Sequence, residues 1–287
     1  MPFNLDPEFA AAFASPVRPD ESRPAAAVGD IQSRRKGFAD KFTPLLATQF
    51  PRDPRISTKD YFTKSLDGHD VLFRWCSKPD CTPDSAIIFI HSGGLILANV
   101  STFDGIIEEY VDKSGHRYLK ALEDVYAGLE WLHEHAPQLG VNPDASAFTV
   151  RAQVEVSLRR SREKQGPRIA KQVLIYPMLD DRVIKANPLI APYLAWSAAD
   201  NETGWDAYLG IKRGGKDVLA TVVPARLEDP AGLPPLYVEV GELDLFRDQV
   251  LAYVRKYLES GVSVMLHLLP GVPHGFEWFA PRSNLET

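Results

Sequence analysis

The sequence predicts an α/β fold: a mostly parallel central sheet with helices on both faces and a small helical cap. Three observations predict it. A continuous apolar run at 86–90 reads as a strand buried on both faces, and the largely apolar runs at 173–176, 236–240 and 264–268 read as further buried strands. Longer segments between them carry apolar residues at helical spacing, and such alternation favours parallel strands with helical crossovers. Several of the apolar runs end directly in glycine-rich or polar loops, where open α/β sheets gather their functional groups.

The elements follow in order. Residues 1–50 read as short helices and polar linkers punctuated by Pro16, Pro19 and Pro24. A strand at 61–65, a turn at Asp67-Gly68 and a strand at 71–75 form the two-stranded start. The run at 86–90 is the first fully buried strand. Tyr118, Leu122, Val125, Leu129 and Leu132 recur at helical spacing and predict an amphipathic helix over 118–136. The stretch 181–216 is loop-rich, with Trp196 and Trp205. Residues 1–50 and about 182–216 are therefore the expected cap or lid segments of one domain spanning 1–287. A helix over 246–258 puts Phe246, Val250, Val254 and Tyr257 on one face, with Gly261 as its stop.

Composition excludes several classes. With 287 residues and 45% hydrophobic content, the chain can bury a large core. A net charge of −6 gives no electrostatic case for nucleic acid. The longest apolar run falls far short of the ~20 residues that span a bilayer, and from the Ala-, Pro- and acid-rich residues 1–30 no signal peptide is expected. Cys76 and Cys81 have neither zinc spacing nor the number for a disulfide scaffold, so reduced thiols in a cytoplasmic protein are expected. No metal or cofactor is implied, and the oligomeric state is left open.

Two loops and a turn carry the chemistry. At 91–94 a strand ends in His91-Ser92-Gly93-Gly94, where glycines let backbone N–H groups approach a developing oxyanion; the same residues also suit an ordinary turn. Asp244 follows the run at 236–240 and His274 the run at 264–268, in the order of a hydrolase acid and base. His69, His116, His133 and His135 lie on polar stretches and receive no role. His267 sits within a strand and is expected to be structural.

Six segments together resemble one family: IIFIHSGG at 87–94, KALEDVYAGLEWL at 120–132, GVNPD at 140–144, GPRIAKQVLIYPMLDD at 166–181, GLPPLYVEVGELD at 232–244 and PGVPHGF at 270–276. Over about 40–280 the chain resembles the hormone-sensitive-lipase-like, arylacetamide-deacetylase-type α/β-hydrolases. The resemblance implies a carboxylic-ester hydrolase acting on small acyl or aryl esters. It implies His274 as base, Asp244 as the group orienting it, and the amides of Gly93 and Gly94 as oxyanion hole. Ser92 stands where the family has its first glycine.

Three departures accompany the resemblance. Ser114-Gly115 runs directly into His116-Arg117-Tyr118, roughly fifteen residues short of the family pattern, which predicts the loss of one central strand. The sequence ends at Thr287, where the family continues into a closing helix, so that helix is expected to be missing. The nucleophile elbow, Gly-x-Ser-x-Gly, is absent: 145–155 reads ASAFTVRAQVE, and Ala152 stands at the aligned position. Ser146, Ser157 and Ser161 lie nearby without elbow context.

The replaced elbow has a signature. When each codon of 144–161 is read from the last base of one residue and the first two of the next, the open wobble positions permit R-I-x-x-x-G-E-S-A-G-G-G-L-A-A-A-V. That string is a strand entry, a serine elbow and a small-residue helix in the correct order. A frame slip, mis-splicing or a misread gene would produce this pattern. The sequence alone thus leaves three readings: an esterase inactive as written, a hydrolase-fold protein that binds a ligand without turnover, and a non-functional product.

Overall fold

The computed structural model describes residues 3–13, 26–65, 68–79, 85–114, 117–121, 125–142, 147–150 and 167–280. Its eight strands are β1 (Ser57–Lys64), β2 (Asp70–Ser77), β3 (Ala86–Ile90), β4 (Arg117–Ala121), β5 (Ala147–Val150), β6 (Lys171–Ile175), β7 (Leu236–Gly241) and β8 (Val264–Leu269). They lie in one sheet in the order β1-β2-β4-β3-β5-β6-β7-β8. β2 pairs antiparallel with both β1 and β4, and every pairing from β4 to β8 is parallel.

Period-two alternation divides the core between the two faces of this sheet. On β3, Ile88 and Ile90 join a cluster with Leu129 and Leu132 of α4 (Val125–Leu139) and Val250 and Tyr253 of α6 (Arg247–Glu259). Phe89, one residue out of phase, joins the opposite cluster with Ile106 and Ile107 of α3 (Asp104–Ser114) and Phe38 of α2 (Ile31–Gln49). The remaining helices are α1 (Pro7–Phe13), α5 (Ala198–Leu209) and the single turn α7 (Phe276–Phe279). Among the described residues, no helix is long and apolar enough to cross a membrane.

Two expectations are corrected. The central strand is present: β4 fills the slot between β2 and β3, with Tyr118 opposite Ile87 and Ala121 opposite Phe73. The helix over 118–136 accordingly starts at Val125. The helical spacing of Tyr118 and Leu122 is real, but ladder bonding outweighs it, because an empty slot would leave the facing N–H and C=O groups of β2 and β3 unpaired. The 182–216 stretch is likewise more ordered than its loop-like composition suggests. Ser197 caps α5 through a capping box with Asp200, which supplies the start signal that the polar-rich helix otherwise lacks.

Other expectations fall outside the described residues: the linker prolines Pro16, Pro19 and Pro24, Cys81, Ala152 with its elbow segment, the serines Ser146, Ser157 and Ser161, and the closing helix beyond Ala280. Cys76 is buried in the second cluster. His267 points within β8 toward Tyr237, ring centroids 5.1 Å apart, and His135 stacks on Trp131 at 4.4 Å.

Candidate active site

The C-terminal ends of β7 and β8 are stitched into one double loop. The Glu242 amide donates to the Leu269 carbonyl at 2.8 Å and the Leu243 amide to Val272 at 3.0 Å. In return the Gly271 amide donates to Glu242 Oε2 at 3.0 Å. This closeness explains Gly241: a Cβ there would sit 2.2 Å from the Val272 carbonyl oxygen. Gly241→Ala is expected to destabilise the protein by about 1–3 kcal/mol, the usual range for overpacking. An unchanged urea midpoint would contradict it.

The double loop delivers Asp244 to His274. Asp244 is fully buried, and its Oδ2 lies 2.9 Å from His274 Nδ1. The Phe246 amide donates to the other oxygen, Oδ1, at 2.8 Å, which fixes the carboxylate plane. With Nδ1–H donated to the carboxylate, the lone pair of the neutral imidazole is on Nε2. The ring is held edge-on between Tyr176 at 4.5 Å and Phe246 at 5.1 Å. Tyr176 has φ +36°, unusual for a side chain of its size. Its hydroxyl donates to the buried carboxylate of Glu277, which anchors the β6 exit against α7.

Across the sheet, the loop after β3 is shaped by its two glycines. Gly93 has φ +137°, and a Cβ there would meet the Leu97 carbonyl oxygen at 2.3 Å, because the Leu97 amide folds back onto the Gly93 carbonyl at 2.8 Å. Gly94 has φ +54°, and a Cβ there would meet the Trp196 ring at 2.3 Å. Neither the Gly93 nor the Gly94 amide donates a hydrogen bond among the described residues. Ser92 is buried beside them. His91 supports the loop from behind, stacked on Phe103 with centroids 5.5 Å apart.

The 26–50 and 182–216 segments meet over this loop. Arg34 of α2 donates to Asp200 of α5 at 2.8 Å, and the Gly29 amide to Thr203 Oγ1 at 3.0 Å. Arg35 donates to the Ile96 carbonyl at 2.8 Å. A Cβ on Gly204 of α5 would stand 2.3 Å from the Gly94 carbonyl oxygen.

Register defines the place left for a nucleophile. Val150, the last residue of β5, pairs with Ile90 of β3, and Leu174 of β6 pairs with Val150 on the other side. The C-terminal end of β5 thus lies between the His91-Ser92-Gly93-Gly94 loop and the Tyr176 exit of β6. Residues 151–156 read RAQVEV, without a hydroxyl or thiol. Among the described residues, no group of three His, Cys, Asp or Glu side chains could hold a metal ion.

Sequence reasoning singled out Asp244, His274, Gly93 and Gly94, and the structure brings Asp244 and His274 together. It missed Tyr176, Trp196, Glu277 and Gly204. Trp196 and Gly204 were legible only as members of an irregular segment. The aromatic ending the β6 run was the one local sign of Tyr176.

Comparisons with known proteins agree with this geometry. The sequence matches the α/β-hydrolase fold family over residues 87–278. It is 29% identical to the esterase LipI of Mycobacterium tuberculosis over 232 residues, 70% of each chain. It is 26% identical to an ethyl acetate hydrolase of Pseudomonas putida over 280 residues, 86% of this chain and 83% of that one. Among solved structures, a bacterial heroin esterase superposes with a TM-score of 0.84 at 25% identity, covering 98% of this chain and 93% of its own. A hyperthermophilic esterase from the archaeon Pyrobaculum calidifontis superposes at 0.81 and 20% identity, covering 99% and 94%, a likeness of fold alone. With a family match over two thirds of its length and the strand order, histidine loop and acid loop in place, the chain belongs to the α/β-hydrolase fold family, in its hormone-sensitive-lipase-like group.

Proposed function

We propose that this chain is a carboxylic-ester hydrolase by lineage that retains the base, the acid and the oxyanion loop but, as written, turns over no ester. The observation that carries the reading is the Asp244–His274 pair, 2.9 Å apart on a buried carboxylate. In the lineage mechanism His274 Nε2 takes the proton of a serine hydroxyl and returns it to the leaving alcohol. Asp244 holds the tautomer and stabilises the imidazolium. The amides of Gly93 and Gly94 donate to the oxygen of the tetrahedral intermediate. Residues 1–50 and 182–216 act as the cap, with Trp196 closing over Gly94. The ester is a small acyl or aryl ester, in keeping with the esterase and ethyl acetate hydrolase among its relatives.

The missing part is the attacking atom, because Ala152 stands at the nucleophile position. The shifted-frame string supports a disrupted reading frame as the origin of the loss. Retention of the glycine loop under Trp196 supports a second reading, a ligand-binding protein that keeps the pocket without turnover.

The chain as written is expected to cleave p-nitrophenyl acetate no faster than its His274→Ala variant and to take no label from a fluorophosphonate. A serine nucleophile elsewhere in the chain would show itself as phosphonate labelling together with turnover that His274→Ala abolishes.

A further inference from the structure

The two edges of the sheet differ in kind. At one edge, β1 exposes Lys59, Asp60 and Lys64, charges of the sort that discourage edge-to-edge pairing. β8, at the other edge, has no such protection. No Asp, Glu, Lys or Arg lies between Ser260 and Phe276, and the strand keeps an unbroken register with β7 from Val264 to Leu269. The Leu236 amide donates to the Ser263 carbonyl, and the Glu242 amide to the Leu269 carbonyl. The odd-numbered residues of β8 therefore bond toward β7, and the N–H and C=O groups of Val264, Leu266 and Leu268 point away from the sheet. Among the described residues, no strand pairs with that edge.

The edge is also apolar on the side that α6 covers. Leu266 and Leu268 pair with Val238 and Val240, which belong to the same core cluster as Val250 and Val254 of α6. Paired residues point to the same face, so Leu266 and Leu268 look toward α6, yet both are exposed. On α6, Gln249 accepts from the Leu179 and Asp180 amides, and Lys256 donates to the Ala225 and Leu227 carbonyls. That flank of the helix therefore faces the β6 side, away from β8. Leu251 and Leu258 each follow by two residues, about 200° around the axis, and so take the opposite flank, beside the β8 edge. Both are exposed. Four leucines, two from the helix and two from the strand, thus line one border of the sheet. Arg255 and Glu259, the exposed charges beside Leu258 in sequence, neutralise each other at 2.7 Å.

We propose that this border joins two copies of the chain, β8 against β8, antiparallel about a two-fold axis. The occupant follows from self-complementarity, which a two-fold interface requires. With the axis at His267, Leu266 stands opposite Leu268 of the second copy, and their outward N–H and C=O groups bond across it. With the axis at Leu266, Val264 takes the place opposite that Leu268. In either register apolar residues meet apolar ones. Two chains of net charge −6 each approach along the one edge strand that carries no charge. Leu251 and Leu258 of each copy flank the paired strands and add side-chain contact to the backbone bonds. Pairing needs neither a nucleophile nor His274, so it stands apart from the question of turnover.

The test is sedimentation equilibrium of the full chain over a dilution series. The parent is expected at twice the chain mass, falling toward one chain as it is diluted. Leu266→Lys with Leu268→Lys sets lysine opposite lysine across the axis, an arrangement that opposes strand pairing. It is expected to raise the dimer Kd roughly 30-fold or more, the scale of one lost hot-spot contact. Both leucines are exposed, so at a dilution where the parent is monomeric the variant should melt as the parent does, which separates lost pairing from lost folding. A parent that stays at one chain's mass throughout the series overturns the proposal. So does an open-ended ladder of larger species, which a closed two-fold contact does not make, and so does a dimer that the two lysines leave intact.

Discussion

Ester cleavage is expected to appear when residues 145–161 are replaced by the shifted-frame string R-I-x-x-x-G-E-S-A-G-G-G-L-A-A-A-V, the open positions filled with β-formers. The gain over the parent should be on the order of 10⁵–10⁶ in kcat, the scale set by removing a triad serine. Two parts that the proposed reaction requires are in place: β5 ends beside β3 at the Ile90–Val150 pair, and His274 stands on buried Asp244. The string would also remove Arg159 and Arg160 from the helix that follows the elbow in this family. Because β4 occupies its slot, no further strand need be restored. The decisive readings are the p-nitrophenyl acetate rate, its abolition by His274→Ala, and phosphonate labelling at the introduced serine. A repaired protein that melts cooperatively yet neither labels nor cleaves would defeat the disrupted-esterase reading and favour the ligand-binding one.

The largest single-site loss of stability is expected at Arg226. Its guanidinium grips Asp181 at 2.8, 2.9 and 3.1 Å, and Asp181 is fully buried. Arg226→Met leaves that carboxylate in the interior with only the Gly214 amide as a strong donor. Breaking one side of a buried pair costs about 3–5 kcal/mol, a large part of a total stability of roughly 5–15 kcal/mol. Pairing the change with Asp181→Asn should recover much of the loss, because the stranded charge disappears. Urea unfolding of both variants measures this. If the double variant is no more stable than the single one, packing around Arg226 outweighs the ion pair.

Much of the fold was legible because its central strands are buried on both faces. The runs at 86–90 and 236–240 could hardly be anything else. The run at 264–268, expected to be a buried strand, is instead the edge strand with Met265, Leu266 and Leu268 exposed, although the groups that follow it fell at the right end. β4 was not legible. Its five residues sit ahead of a true helix whose apolar spacing extends back through Tyr118, so periodicity favoured one long helix. Only the unmet hydrogen bonds of β2 and β3 settle the choice, and those are a property of the assembled sheet. The same holds at the site. Asp244 and His274 are signalled by loop position and residue type. The roles of Trp196, Gly204 and Tyr176 arise from approaches between segments far apart in sequence.

The packing of Gly204 and Trp196 against Gly94 limits how such a protein can be rebuilt. The cap meets the glycine loop at distances that admit no added atom on either side. A cap transplanted from a relative would arrive with its own spacing and would force the loop to shift with it. Swapping specificity by exchanging caps alone should therefore fail here, and the smallest transferable unit is the cap together with residues 91–97.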